Sequence, residues 1–316
     1  MKKFELTDEF ITDASGHKLF RIKALSSFGT VSAGDMGGYV EKEENLSNDG
    51  SSWVSGNAQV SGDAWVFGNA YVFGNAHVSG NAWVFGNARV YGDAQVSGDA
   101  RVYGDASFYG DAHVSGDARV FCNACAFGNA HVSGDASVYG DAQVSGDARV
   151  YGDAQVSGDA RVYGDARVFG DARVYGNAHV SGNAQVSGDA WVFGDARVYG
   201  DAQVSGNACA FGNAHVSGDA SVYGDASFYG DAHVSGNADF AVVAGFGRYF
   251  RATTFFRCED KILRVQCGCF YGDLAQFREI VKKTHGDSKY AKEYLAIADL
   301  MELHFSDEEE NQESDE

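Results

Sequence analysis

Gly62-Asp63-Ala64-Trp65-Val66-Phe67-Gly68-Asn69-Ala70-Tyr71-Val72-Phe73 is the stretch that decides how this chain folds. Ala and Val are separated by one variable residue and followed by another. Such period-two alternation sends Ala and Val to one face of a strand and the variable pair to the other. Gly and Asn or Asp come next, the residues that tolerate positive φ at a corner. Each six-residue word is therefore one short strand plus one corner. The word Val-x-Gly-Asn/Asp-Ala-x runs thirty-one times from Val54 to Asp239 without an insertion. A strand this short cannot bury its apolar face alone, so successive words must stack.

These words resemble those of the hexapeptide-repeat proteins, in which three words make one eighteen-residue coil of a left-handed parallel β-helix. The handedness is implied by the resemblance alone, since general chain chirality favours right-handed crossovers. The fold expected is an all-β solenoid of about ten coils, on the order of 50 Å long at ~4.8 Å per strand spacing. Its core should be Val and Ala ladders, overfilled at Phe108 and Phe228 and underfilled at Ala126 and Ala210. The absence of proline suits a parallel ladder that needs every backbone donor.

Residues 48–239 are assigned to the β-helix, 1–47 to an N-terminal β cap, 240–305 to a C-terminal ββαα cap and 306–316 to an acidic disordered tail. An open β-helix exposes unpaired strand edges and needs both ends covered. In the first cap, Lys18 to Leu25 alternates like a strand after the turn-like Asp13-Ala14-Ser15-Gly16, and Asn48 to Trp53 is a degraded word where the solenoid should begin. In the second, Phe250–Arg257 and Ile262–Cys269 read as a hairpin turning at Glu259-Asp260. A helix capped by Asp273 follows, with Leu274, Phe277, Ile280 and Val281 on one face and Gly286 as its stop. A second helix starts at Asp287 or Ser288 and runs through Tyr290, Tyr294, Ile297 and Met301. Ala33–Ser47 and Cys267–Gly272 resemble segments of phage and prophage proteins with Gly-Asn-Ala/Gly-Asp-Ala repeats. That resemblance implies a viral or mobile-element origin and brings no established activity.

If residues eighteen apart stack, the position after each Val sorts into faces. One face reads Phe67, Phe85, Tyr103, Phe121, Tyr139, Ser157, Tyr175, Phe193, Phe211, Tyr229, with Trp65, Trp83 and Trp191 beside it. A second face is mostly serine and the third is mixed. An aromatic stripe of this length is either an interaction surface or a ladder that stabilises neighbouring coils by roughly 0.2–1 kcal/mol per pair. One caution is that Asn123–Ala142 recurs as Asn207–Ala226, an offset that is a multiple of six and not of eighteen. The duplication kept the word and rotated the face.

Net charge is −20, and the corners carry most of it. Asp93, Asp99, Asp105, Asp111, Asp117, Asp135, Asp141, Asp147, Asp153, Asp159, Asp165 and Asp171 form the candidate acidic surface. No basic stripe exists for direct nucleic-acid binding. Rows of acids could instead occupy the nucleic-acid groove of another protein, bind divalent cations, or simply suit the turn and keep the rod soluble.

Signals for catalysis are few. Hexapeptide proteins include acyltransferases and zinc carbonic anhydrases, but His113 with His131 and His215 with His233 give two stacked imidazoles each, short of a zinc ligand set. Cys122 and Cys125 read as adventitious small-residue substitutions. Cys267 and Cys269 should pack in the hairpin core, and a zinc site from them with Cys258 and His285 is a remote alternative. No loop leaves the repeat to hold a catalytic group over a substrate. The expectation is thus a cytoplasmic or virion-borne solenoid, with no catalytic residue, cofactor, metal or membrane segment, that binds a host protein or a second copy of itself and assembles as a homo-oligomer. Its sharper form is a DNA-mimic-like inhibitor of a nucleic-acid-handling or defence protein. The rival classes are a purely structural virion or scaffold element and an acyltransferase-like enzyme.

Overall fold

The computed structural model describes residues 2–13, 15–258 and 260–306. The acidic tail beyond Ser306 lies outside the described residues, as do Ala14 and Glu259 of the two expected turns. From Trp53 onward the words form two-residue strands such as Trp65–Val66, Tyr71–Val72 or His77–Val78, lengthened to four residues at Arg173–Gly176 and Trp191–Gly194. Partners are parallel and eighteen residues apart: Trp65 pairs with Trp83, Arg89 with Ser107, Gln95 with His113. Three words per turn is therefore the observed geometry. The strands stack into three sheets, giving a three-sided parallel β-solenoid of about eleven turns. We name the sides by what they carry: the tryptophan side (Trp65–Val66 to Ser227–Phe228), the serine side (Gln59–Val60 to Ser221–Val222) and the mixed side (Trp53–Val54 to His233–Val234).

The sequence reason for this shape is local. Val and Ala of the words point inward and are essentially excluded from solvent. Corner glycines hold φ between about 57° and 76°, where a side chain is strained and where the next rung is very close. A Cβ on Gly140 would sit 2.9 Å from the backbone nitrogen and 3.1 Å from the oxygen of Gly158. Cys122 occupies one such corner at φ 61°, a non-glycine residue in left-handed backbone.

The four irregular core positions are paired. Phe108 lies opposite Ala126 on the mixed side, and Ala210 opposite Phe228 on the tryptophan side. All four are fully buried. Overfilling and underfilling thus cancel between adjacent rungs, because only the summed volume of stacked side chains has to fit the space between the ladders.

The solenoid starts one turn ahead of the words. Strands β1 (Phe4–Thr12), β2 (Lys18–Ala24) and β3 (Met36–Val40) form an antiparallel meander, and β3 then pairs parallel with Gln59–Val60. Leu46 bridges to Val66 in the same sense. Both pairings span twenty residues, and Trp53 opposite Tyr71 restores eighteen, so Ser47–Ser52 absorbs two extra residues. Rung pairing therefore precedes Asn48, where sequence pattern had placed its start.

The hydrogen bonds flanking each strand run one way, from N–H toward the following rung, as in Trp53 to Ala70 and Ser55 to Val72. The first turn consequently leaves carbonyls to satisfy and the last turn leaves N–H groups. Side chains match this polarity. At the start, buried Asn45 donates from Nδ2 to the carbonyls of Gly62 (3.0 Å) and Ala64 (2.8 Å), and Lys3 Nζ donates to Ser52 O at 2.8 Å. Burial lowers the Lys3 ammonium to about 8, partly opposed by the nearby Asp49 carboxylate. At the far end, Asn237 Oδ1 accepts from Ser221 N at 2.8 Å and Thr254 Oγ1 from Ser227 N at 3.0 Å.

Beyond Asp239 the chain builds a four-stranded antiparallel sheet in sequence order, Phe240–Val243, Thr253–Arg257, Leu263–Cys267 and Phe270–Asp273. The expected hairpin is its middle pair; the flanking strands were not read from the sequence. Phe256 and Phe240 pack on Phe228 and close the rod core. Phe255 and Val265 face the helices α1 (Leu274–His285) and α2 (Lys289–His304). Asp273 accepts from Gln276 N to cap α1, Gly286 ends it at φ 56°, and Ser288 caps α2. The second helix runs through Tyr290, which is exposed, and buries Ala291, Tyr294, Ile297, Ala298 and Met301. Cys269, expected in the hairpin core, is exposed in the turn between the last two strands, while Cys267 is half-buried.

Candidate interaction surface

On the tryptophan side the rings stack one per rung. Phe67, Phe85, Tyr103, Phe121 and Tyr139 follow each other at 4.7–5.0 Å between centroids with planes within 6° of parallel. Ser157 interrupts the stack, which resumes through Tyr175, Phe193 and Phe211, and Tyr229 closes it edge-on. Each of these rings is half-buried, because at least one face is covered by a neighbouring ring. Shorter stacks occur elsewhere: Phe73, Tyr91, Tyr109 and Phe127 on the mixed side, Tyr151 and Phe169 on the serine side. Tyrosines with serine on the adjacent rungs, Tyr163 and Tyr199, are exposed, and Tyr223 on the last rung of its side is 67% exposed. Ring stacking, not the Val-Ala core, sets how much aromatic surface this rod shows.

Trp65, Trp83 and Trp191 stand one position earlier in the word and are 38%, 38% and 37% exposed. Trp65 stacks on Phe67 at 4.1 Å and meets Trp83 edge-to-face at 6.0 Å. The guanidinium of Arg101 lies over Trp83 at 5.2 Å and that of Arg173 over Trp191 at 5.1 Å. A tryptophan face is an attractive seat for a cation, and this side already uses two of its three that way.

The acidic corners divide into three rows. Two rows mix Asn with Asp, and the Asn amide donates upward to the carboxylate one rung on. Examples are Asn75 to Asp93, Asn87 to Asp105, Asn123 to Asp141 and Asn129 to Asp147, all at 2.8–2.9 Å. Asp111 and Asp165 on the first of these rows, and Asp159 on the other, are not among these acceptors. The third row, at the leading edge of the tryptophan side, holds an unbroken run of six, Asp99, Asp117, Asp135, Asp153, Asp171 and Asp189, between Asn81 and Asn207. Asn81 donates to Asp99 at 2.7 Å and Asn207 to Asp225 at 2.9 Å. Partial desolvation, with the neighbouring carboxylates of Asp135 and Asp99, raises the Asp117 carboxyl above its ordinary value. A groove of about 540 Å3 runs along this row, lined by Asp99, Asp117 and Asp135 together with Trp83, Arg101 and Arg119. It adjoins a broader cleft of about 620 Å3 between Trp65, Trp83 and the Lys42–Asn48 segment of the N-terminal cap. The two share Trp83 and form one continuous surface. The unbroken row and the adjoining cleft were not singled out from the sequence, although sorting the corners by eighteen exposes the row.

The histidine pairs stack as expected. His113 and His131 are 4.8 Å apart on the serine side, and His215 and His233 are 5.9 Å apart on the mixed side. Burial and the neighbouring imidazole lower His113. Among the described residues no three His, Cys, Asp or Glu side chains come together as a metal-ligand set. The thiols of Cys125 and Cys209 both approach a backbone carbonyl two residues back, at 3.5 and 3.6 Å, and burial raises both. The nearby carboxylates of Asp141 and Asp225 add to that rise. Among the described residues no helix is long and apolar enough to cross a membrane.

Residues 94–110, 142–158, 154–170, 166–188, 184–200 and 190–206 match the profile described as the YdcK beta solenoid repeat. These segments cover the middle of the rod and neither cap. A search of curated proteins found no match. Together with the eighteen-residue rung, they identify the chain as a repeat β-solenoid protein that is similar, over those segments, to the YdcK repeat.

Proposed function

We propose that this chain is a non-catalytic binding rod that engages a macromolecular partner through its tryptophan side, with no cofactor or metal. The observation that carries this reading is the continuous surface around Trp83, where exposed tryptophans adjoin an unbroken row of carboxylates. Trp and Arg are enriched at interface hot spots, and Trp83 lies beside Arg101 and Arg119 here, while a net charge of −20 favours a partner with a basic face. The likeness of the chain ends to phage and prophage segments favours a host protein as that partner. The finer form, imitation of nucleic acid, has quantitative support and a limit. One carboxylate per rung is one per ~4.8 Å, against one phosphate per 3.4 Å along a DNA strand, and Arg101, Arg119 and Arg173 dilute the row further.

A second reading, a structural or self-assembling element, is favoured by a different observation: most aromatic faces are already covered by each other. Sedimentation velocity and cross-linked capture from a bacterial lysate separate the two. Binding predicts a salt-sensitive complex that is competed by duplex DNA if imitation holds and is lost in Trp65→Ala/Trp83→Ala. Salt-insensitive assembly of the purified chain, unaffected by those substitutions, would replace binding with the structural role. Turnover of an acyl-CoA or bicarbonate would overturn both.

A further inference from the structure

We infer that the C-terminal cap holds a separate small-molecule site for an organic anion, a carboxylate carried on one ring or a short branched chain. The site lies between the 244–252 segment, the sheet and α1, remote in sequence from the tryptophan-side groove. Its cavity is about 220 Å3, with Phe270, Phe277, Ile280 and Val281 as apolar walls and Tyr294 behind them. Drug-sized pockets run from roughly 300 to 1,000 Å3, so this one admits a single ring and excludes a nucleotide.

Two arginines define the anion. Arg248 and Arg251 line the mouth, their guanidinium groups 5.4 and 5.1 Å from the Tyr249 ring that they flank. Neither forms an ion pair among the described residues, in a chain where acids outnumber bases by twenty. Other arginines of the same cap find carboxylates: Arg264 bonds Asp260 at 2.7 Å, and Arg278 bonds Asp299 and Glu302 at 2.8 and 2.6 Å. A planar guanidinium receives a carboxylate through two parallel hydrogen bonds, and each of the two arginines lining this cavity offers that fork.

The segment that presents them is fixed and strained. Gly247 N donates to Glu293 Oε2 on α2 at 2.9 Å, and the Tyr294 hydroxyl occupies the space a Cβ on Gly247 would need. Phe250, between the two arginines, adopts φ 53°. For a bulky side chain that left-handed backbone is disfavoured, and strain of this kind gathers at ligand sites. Burial, and then the hydrogen-bonded thiol of Cys267, push the Tyr294 phenol up to about 12. An apolar body would thus rest on Phe277 and Val281 while its carboxylate meets Arg248 and Arg251.

The test uses the full chain and five probes: 3-phenylpropionate, 4-methylpentanoate, benzoate, the neutral 3-phenylpropanamide and inorganic phosphate. Calorimetry and saturation-transfer NMR should show saturable one-to-one binding of at least one carboxylate. The neutral amide and phosphate should bind at least tenfold more weakly, because each lacks one half of the recognition. Arg248→Gln/Arg251→Gln should weaken the carboxylate at least tenfold with unchanged thermal melting, and Ile280→Ala should weaken the apolar part while leaving the arginines in place. No saturable binding of any carboxylate, equal binding of phosphate, or binding indifferent to the arginine substitutions would each overturn the site.

Discussion

Phe108 and Ala126 face each other across one rung, and their contact makes a quantitative prediction. Phe108→Val removes ring atoms from a space whose walls are hydrogen-bonded ladders that cannot close in. Lost transfer energy and residual cavity together should cost about 2–3 kcal/mol. Ala126→Val places two methyl groups against the Phe108 ring, and overpacking of that kind costs about 1–3 kcal/mol. The double variant fills nearly the volume of the native pair and recreates the Val-on-Val contact of the following rungs, such as Val144 on Val162. Its destabilisation should stay within about 1.5 kcal/mol, leaving a coupling of roughly 2–3 kcal/mol between the two sites. Urea unfolding of the four proteins measures this. Hydrogen exchange over the rungs around 108–126 localises it, because a repeat array need not unfold in one step. Single effects that add to within about 0.5 kcal/mol would show that adjacent rungs do not share volume, and the compensation argument would fail.

Two further predictions concern the corners. Gly140→Ala and Gly224→Ala share a backbone conformation, φ 73° and 67°, but Gly224 has nothing within 4 Å of a new Cβ and Gly140 has the next rung at 2.9 Å. Gly224→Ala should lose about 1 kcal/mol from conformation alone, and Gly140→Ala about 1–3 kcal/mol more from the rung contact; equal losses in denaturant melts would contradict the close approach. Asp117→Asn should raise the melting temperature at neutral pH, since its carboxyl is raised by desolvation and by Asp135 and Asp99. A raised carboxyl opposes folding when ionised and stops doing so as pH falls through its folded-state value, so the gain should vanish on acidification; a pH-independent gain would assign it to hydrogen bonding instead.

The rod was legible because its two signals agree everywhere. Alternation buries Ala and Val, and Gly with Asn or Asp supplies the one backbone conformation a corner requires. The spacing of eighteen then placed His113 on His131 and Phe67 on Phe85 before any coordinates. The ends were less legible because their pairing does not use the word. Tyr39 and Val40 build a rung from a Gly-Gly-Tyr-Val segment, with two extra residues absorbed later in the turn. Phe240–Val243 follows the last word directly, so nothing in its composition marks the switch from parallel to antiparallel pairing. Exposure was the part of the surface that sequence could not supply: a phenyl ring between two rings is half-buried, and Tyr223, beside none, is open. Cys269 failed for a related reason, since alternation carried past Cys267 ignores the turn that Gly268 makes at φ 60°.

The register that stacks every eighteenth residue also ties the two ends of the molecule to each other. Removing three words takes out one storey and leaves the cap with its arginine-lined cavity at the same azimuth as the N-terminal meander. Removing one word swings that cap by about a third of a revolution about the long axis. Word count modulo three is therefore a phase setting, and unequal crossing-over between near-identical stretches can alter reach and orientation separately.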